Sequence, residues 1–200
     1  MKRYFRYSLV YLIVLSLFGC EKDNTGTDSK DIDTRIIKYS DVPPEIPEAT
    51  DIDVDGDSKM DYKIDYWLYT LDGLNFTGDQ ISAGITPLNS NYILKHKNKS
   101  SLFLGINDKI YEADSDSIYW SDIHADVASV GANTLTDYKW PNVWSIISEY
   151  KSDTYFLAIK MTVGEKTAIG WIELFINEDN GVVKVVDKHL SYKDSINITD

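Results

Sequence analysis

From residue 50 onward, apolar side chains recur mainly at spacing two, the period of a half-buried β-strand. In Asp61 to Leu71, Tyr62, Ile64, Tyr66 and Leu68 fall on one face and Trp67, Tyr69 and Leu71 on the other, so a strand with both faces partly covered is predicted. Short strands are expected at Tyr92 to Leu94, Ser101 to Ile106, Lys109 to Glu112 and Ser117 to Trp120, punctuated by Asn, Asp, Lys and Gly. The carboxy-terminal third is the most regular stretch. Thr154 to Val163, a turn at Gly164-Glu165-Lys166, Thr167 to Ile176, a break at Asn177 to Gly181 and Val182 to Asp187 predict a three-stranded meander. Tyr155, Leu157, Ile159, Met161 and Val163 share one face of its first strand, with Lys160 and Thr162 on the other. Val143 to Tyr150 fits a short helix, through Trp144, Ile147 and Tyr150 at spacing three, or a strand. No repeat of 20 to 50 residues is visible, which argues against solenoids and propellers. The expected fold is an all-β antiparallel sandwich, jelly-roll-like or Greek-key, with at most one short helix.

The amino terminus has a different pattern. Lys2, Arg3 and Arg6 precede an apolar run of 12 residues, Tyr7 to Phe18, too short for a helix to span a bilayer core of about 30 Å. This is the layout of a secretory leader. After it, Glu21 to Lys30 is polar throughout, and Val42-Pro43-Pro44-Glu45-Ile46-Pro47 favours an extended spacer. The expected division is therefore a signal peptide at 1–19, a flexible acidic and proline-containing tether at 20–48, and one folded domain at 49–200.

Composition narrows the classes of function. Of 200 residues, 20 are basic and 32 acidic, giving a net charge of -12. Such a field repels polyphosphates, so nucleic acid is not an expected partner. Loss of the leader removes three cations and leaves 17 basic against 32 acidic residues, a charge of -15. The single cysteine, Cys20, excludes an internal disulfide or a cysteine-clustered metal site. No G-x-S-x-G or H-E-x-x-H motif occurs, and His96, His124 and His189 are scattered. Glu112, Glu149 and Glu173 sit among apolar neighbours, where an outward-facing strand residue is the plainer account of each. No catalytic residues are assigned, and the balance leans away from an enzyme.

The segment with most chemistry is Asp53-Val54-Asp55-Gly56-Asp57-Ser58-Lys59-Met60-Asp61-Tyr62. Carboxylates at positions 1, 3, 5 and 9 of a tight loop turn their oxygens inward, and the Lys59 carbonyl at position 7 can join them. An all-oxygen cage of this kind suits calcium, which takes six to eight ligands at about 2.3–2.6 Å. Without a cation, each pair of carboxylates at about 4 Å costs on the order of 1 kcal/mol in water, so the loop is expected to be ordered only when metal is bound. Asp51 is an additional acid beside it. A second cluster is aromatic: Trp120, Trp140 and Trp144, with Tyr119, Tyr138 and Tyr150, lie close in sequence. Either these fill a sandwich core or they form an exposed face that stacks on sugar rings or on a partner protein.

Three resemblances add to this reading. Leu17-Phe18-Gly19-Cys20 resembles the lipobox of bacterial lipoproteins, which implies acylation of Cys20 and an outer-membrane, lipid-anchored location on the periplasmic or surface side. Asp53, Asp55, Gly56, Asp57, Asp61 and Tyr62 resemble the D-x-D-G-D-x-x-x-D calcium loops of integrin-type domains, which implies one structural calcium ion; Ser58 stands where glycine is common. From Asp51 to His189 the chain is similar to secreted bacterial β-domains of unassigned function, through the loop, Leu104 to Ile110 and the closing strands. The functions in view are a noncatalytic surface binding or scaffolding component, a carbohydrate-binding accessory lipoprotein using Trp120, Trp140 and Trp144, and a hydrolase.

Overall fold

The computed structural model describes residues 36–73, 76–99, 101–148 and 151–199. The leader at 1–19, Cys20 and the tether as far as residue 35 lie outside the described residues. The fold is an all-β sandwich of antiparallel strands, not a closed barrel, and its only described helical element is a 3-10 turn at Thr134–Thr136.

In chain order the strands are β1 (Tyr39–Ser40), β2 (Thr50–Ile52), β3 (Tyr62–Gly73), β4 (Phe76–Pro87), β5 (Tyr92–His96), β6 (Phe103–Leu104), β7 (Lys109–Tyr111) and β8 (Ile118–Ser121). There follow β9 (Ala125–Asn133), β10 (Trp140–Pro141), β11 (Ser145–Ile146), β12 (Tyr155–Val163), β13 (Lys166–Ile176), β14 (Val183–Ser191) and β15 (Ser195–Asn197). One sheet has the order β11-β9-β4-β3-β2. The second runs β14-β13-β12-β5-β8, with β6 also on β12. Two ribbons complete the fold, β1 with β10 and β7 with β15.

The main core lies between the two sheets, with Ile64, Ile81 and Ile85 from one and Ile93, Leu157, Ile159 and Leu174 from the other. A second core covers the outer face of the second sheet, where Phe156, Ala158, Ile169 and Trp171 meet Ile110 and Ile196 of the β7–β15 ribbon. Strand β12 is thus buried on both faces, which accounts for its unbroken apolar run Tyr155-Phe156-Leu157-Ala158-Ile159. The predicted meander is present with its register: Val163 pairs with Lys166 across the tight turn, and β14 extends to Ser191 rather than ending at Asp187.

Two expectations need correction, and one left open between two alternatives is resolved. Two full strands were not predicted, β4 and β9, which pair with each other at the centre of the first sheet. Their sequences are rich in Gly, Ala and Ser and weak in bulky residues. That smallness is required, because the ring of Trp67 lies so close over Gly84 that a Cβ there would sit 2.7 Å from it. Paired structure also begins ten residues before residue 49, since Tyr39 and Ser40 pair with Pro141 and Trp140. The amide of Lys38 donates to Asn142 Oδ1 at 2.7 Å as well. Finally, of the helix or strand at 143–150, the strand is found, as Ser145–Ile146 against β9.

Candidate metal centre

The acidic loop is the connection of a β-hairpin. Ile52 pairs with Tyr62, and the Asp61 amide donates to the Ile52 carbonyl at 2.8 Å. Residues 53 and 61 are therefore brought face to face by strand pairing alone, and the chain between them must fold back over a short span. Gly56 (φ 82°) and Ser58 (φ 70°) adopt the left-handed backbone that such a reversal needs. Ser58 bears the Cβ cost of that conformation where a glycine would not.

Carboxylate oxygens organise the turn. Asp53 accepts from the amides of Gly56 at 2.7 Å and Ser58 at 2.9 Å, Asp55 from Asp57 at 3.0 Å, Asp57 from Lys59 at 2.8 Å, and Asp61 from Val54 at 2.7 Å. The loop is thus braced by its own side chains, and its order does not have to come from a metal alone. Asp53, Asp55 and Asp61 each bring a carboxylate oxygen within 4.8 Å of the others, a group that could hold a metal ion. Asp57 is turned differently: its second oxygen pairs with the Lys59 ammonium at 3.0 Å, an exposed contact that holds the Asp57 carboxyl below its ordinary range. Of the four expected carboxylate ligands, three converge, and the fourth, Asp57, pairs with the Lys59 ammonium instead. Asp51, on β2, faces Lys63 across the strand pair.

The members of the cluster differ in environment. Asp61 is only 6% exposed. Burial pushes its carboxyl up, the Val54 amide opposes the shift, and the Asp55 carboxylate adds to it. A buried carboxylate facing another acid is costly to ionise, and a cation between them lowers that cost. Behind Asp61 stands the β4–β5 turn, whose residues the sequence reading did not single out. Leu88 N donates to Asp61 O at 2.8 Å, Asn91 Nδ2 to the same carbonyl at 3.2 Å, and Asn89 Nδ2 to Met60 O at 2.8 Å. Asn89 and Ser90 both take the left-handed backbone, so the Leu88-Asn89-Ser90-Asn91 run was legible as a turn but not as a support for the loop. From the opposite sheet, Lys188 on β14 donates its ammonium to the Asp53 carbonyl. The residue after the loop, Tyr62, is fully buried and its hydroxyl reaches Tyr92 O at 3.1 Å and Lys160 O at 3.2 Å, pinning the start of β3 to the second sheet. Desolvation drives the Tyr62 phenol well above its ordinary value.

The three tryptophans of the aromatic cluster do not form a surface, whereas Tyr119 is half-buried, Tyr138 is exposed and Tyr150 lies outside the described residues. Trp120, Trp140 and Trp144 are buried, Trp144 to 1% exposure. Trp140 and Trp144 belong to the main core and Trp120 to the second one. This corrects the ligand-binding assignment of all three: a ring sealed in a core has no face left to stack on a sugar. The reason is local. Trp144 N donates to Glu178 O at 2.7 Å, and its indole closes over Gly181 (φ 72°), where a Cβ would lie 2.2 Å from the ring. Tyr66 meets the same indole edge-on at 6.4 Å. Trp120 lies beneath Lys160, whose ammonium is 4.9 Å from the ring centre. The histidines are engaged separately, His124 against Trp67, His189 against Trp171, and His96 accepting from Asn98 N. Glu149 lies outside the described residues.

Fold and loop together define an all-β sandwich domain whose first long hairpin carries an acidic group able to hold a metal ion. No family model matches the chain, and neither does any curated protein or solved structure.

Proposed function

We propose that the chain is a lipid-anchored extracytoplasmic β-domain in which one Ca2+, held by Asp53, Asp55 and Asp61, fastens the β2–β3 hairpin, and that its role is noncatalytic surface binding or scaffolding. The observation that carries the metal assignment is the convergence of three carboxylate oxygens within 4.8 Å at the mouth of a hairpin. Calcium is favoured over magnesium because the loop offers only oxygens, with the Lys59 carbonyl and water to fill a large, tolerant shell, whereas magnesium demands a small octahedron. The anchor is supported by the leader and by Leu17-Phe18-Gly19-Cys20. Burial of Trp120, Trp140 and Trp144 withdraws support from the sugar-binding alternative.

The cation acts here as a clamp. Ligand binding to the native state alone stabilises by RT ln(1 + [L]/Kd), about 2.7 kcal/mol at one hundred times Kd, which in a domain of this size raises Tm by about 5–10 °C. Melting in calcium and in chelator tests this: the gain is expected in calcium, and coincident curves would reject the clamp. Incorporation of labelled palmitate at Cys20, lost in Cys20→Ser, tests the anchor, and an unlabelled mature chain would reject it.

A further inference from the structure

Lys59 and Lys63 each hold a carboxylate, Asp57 and Asp65, as suits a chain with 32 acidic residues against 20 basic. Lys109 and Lys193 do not: among the described residues neither forms an ion pair. Both instead line one cavity, together with His189, on the outer side of the second sheet. Among the described residues its wall contains no aspartate or glutamate, and Ser191, Ser195 and Asn197 bring hydroxyl and amide groups to it.

Strand pairing builds this wall. His189 and Ser191 stand opposite Trp171 and Ile169 of the second core, so they lie on the face of β14 that turns away from the main core. After residues 192–194 the chain returns as β15, whose Ile196 packs with Ile110 into the second core. Alternation therefore puts Lys109, Ser195 and Asn197 on the other side of the ribbon, with Asn197 directly opposite Lys109. Two of the three basic groups are held by aromatic rings and not by acids. The Lys109 ammonium lies 4.8 Å from the centre of the Tyr111 ring, and the His189 imidazole stacks on Trp171 at 5.8 Å. Those contacts orient the donors without supplying a counter-charge. The Ser191 hydroxyl accepts from Lys193 N at 3.3 Å, which leaves its proton free to be donated. Lys166, 5.9 Å from the Tyr192 ring centre, adds a further cation nearby. The nearest acids along the chain, Asp108, Glu112, Asp187 and Asp194, stand outside the wall, and the Asp108 carboxylate is taken up by the Gly105 amide at 2.8 Å.

We infer that this cavity is an oxyanion site, which takes a phosphate or sulfate group esterified to a sugar or glycerol unit. Lysine ammonium, imidazole, hydroxyl and amide can all donate, and a tetrahedral anion accepts from several directions at once. The cavity measures about 380 Å³, more than a free ion fills and at the small end of ligand cavities, about 300–1,000 Å³, so it has room for the unit that carries the charged group. The strongly acidic chain around it repels polyanions, which restricts the site to a ligand with one such group. None of its residues belongs to the acidic loop, and the inference needs neither the cation nor the anchor.

The test uses the full chain, isotope-labelled in detergent micelles, treated with chelator and dialysed so that no anion is counted at a metal in the acidic loop. It is titrated with glycerol 3-phosphate and with glucose 6-sulfate while the amide resonances are followed. Saturable shifts confined to residues 109–111 and 189–199 are expected with at least one of the two esters, and the tighter of them identifies the source of the group. Glycerol and glucose alone should shift nothing. Lys109→Gln/Lys193→Gln, at two exposed positions, should weaken binding by about tenfold. Lys97→Gln/Lys184→Gln removes the same charge at exposed positions outside the cavity and should leave the affinity within about twofold of the native chain. The mapping on the native chain stands without either variant. No saturable shift with either ester, shifts centred elsewhere, or equal weakening by the two pairs would overturn the site.

Discussion

Two regions carry most of the side chains from which function can be argued, the acidic loop 53–61 and the tryptophan-rich stretch 120–144, and the structure treats them in opposite ways. In the loop, carboxylates gather at the mouth of a hairpin, bonded to five backbone amides. In the second, the three tryptophan rings withdraw into two cores. The difference lies in solvation. Clustered carboxylates are stable only where water, donors or a cation surround them, so their sequence spacing already restricts where they can lie. A tryptophan is stable in a core and serviceable on a surface, and its spacing restricts nothing.

Breaking the aromatic side should have the largest effect. Trp144→Ala opens a cavity under Gly181 and should lower stability by about 3–5 kcal/mol, measured by denaturant unfolding, with the cation response of the remaining folded protein intact. A change below 1 kcal/mol would show that the indole is not a core residue in solution. Gly181→Ala attacks the same contact from the other side, placing a Cβ 2.2 Å from the ring at a positive φ, and should cost about 1–3 kcal/mol.

On the acidic side the effects are conditional. Asp61→Asn should abolish the calcium-induced gain in Tm yet leave the protein in chelator as stable as wild type or slightly more so, because the buried charge is gone. A large loss in chelator would mean that the carboxylate serves the fold directly through Val54. Acid should produce the same convergence gradually. The raised Asp61 value means that, without cation, its contribution to stability is present below the ordinary 3.8 and is lost as pH rises through the higher folded value. Bound calcium requires the ionised form. Melting curves with and without calcium should therefore separate at neutral pH and approach each other as the pH falls through that raised range. Separation that persists below the ordinary carboxylate value of 3.8 would place the cation elsewhere.

The smallest effect sharpens the ligand set. Asp57→Asn should change the calcium response little, since that carboxylate is paired with Lys59, whereas Asp55→Asn should remove most of it. Equal losses would restore Asp57 to the shell.

Much of this was legible in the sequence, but unevenly. The strands from Tyr155 to Val185 could be read because bulky apolar residues alternate and the turn at Gly164 is unambiguous. Strands β4 and β9 could not, since Ser82, Gly84, Ser129 and Gly131 are chosen for closeness to neighbours such as Trp67, a property of tertiary contact. The loop was visible as Asp-x-Asp-Gly-Asp-x-x-x-Asp, and the convergence of its first and last acids follows from hairpin pairing. Its supports, Asn91 thirty residues on and Lys188 from the opposite sheet, leave no local signature. The partition within the loop depended on a competing cation, Lys59, which the pattern treats as a neutral spacer.

The claim on which the account turns is that this hairpin mouth takes a divalent cation, and titration calorimetry of the chelator-treated protein with calcium tests it most directly. A single-site heat that disappears in Asp55→Asn and is not reproduced by magnesium is the predicted result; no heat at millimolar calcium, or an identical heat in the variant, would contradict it.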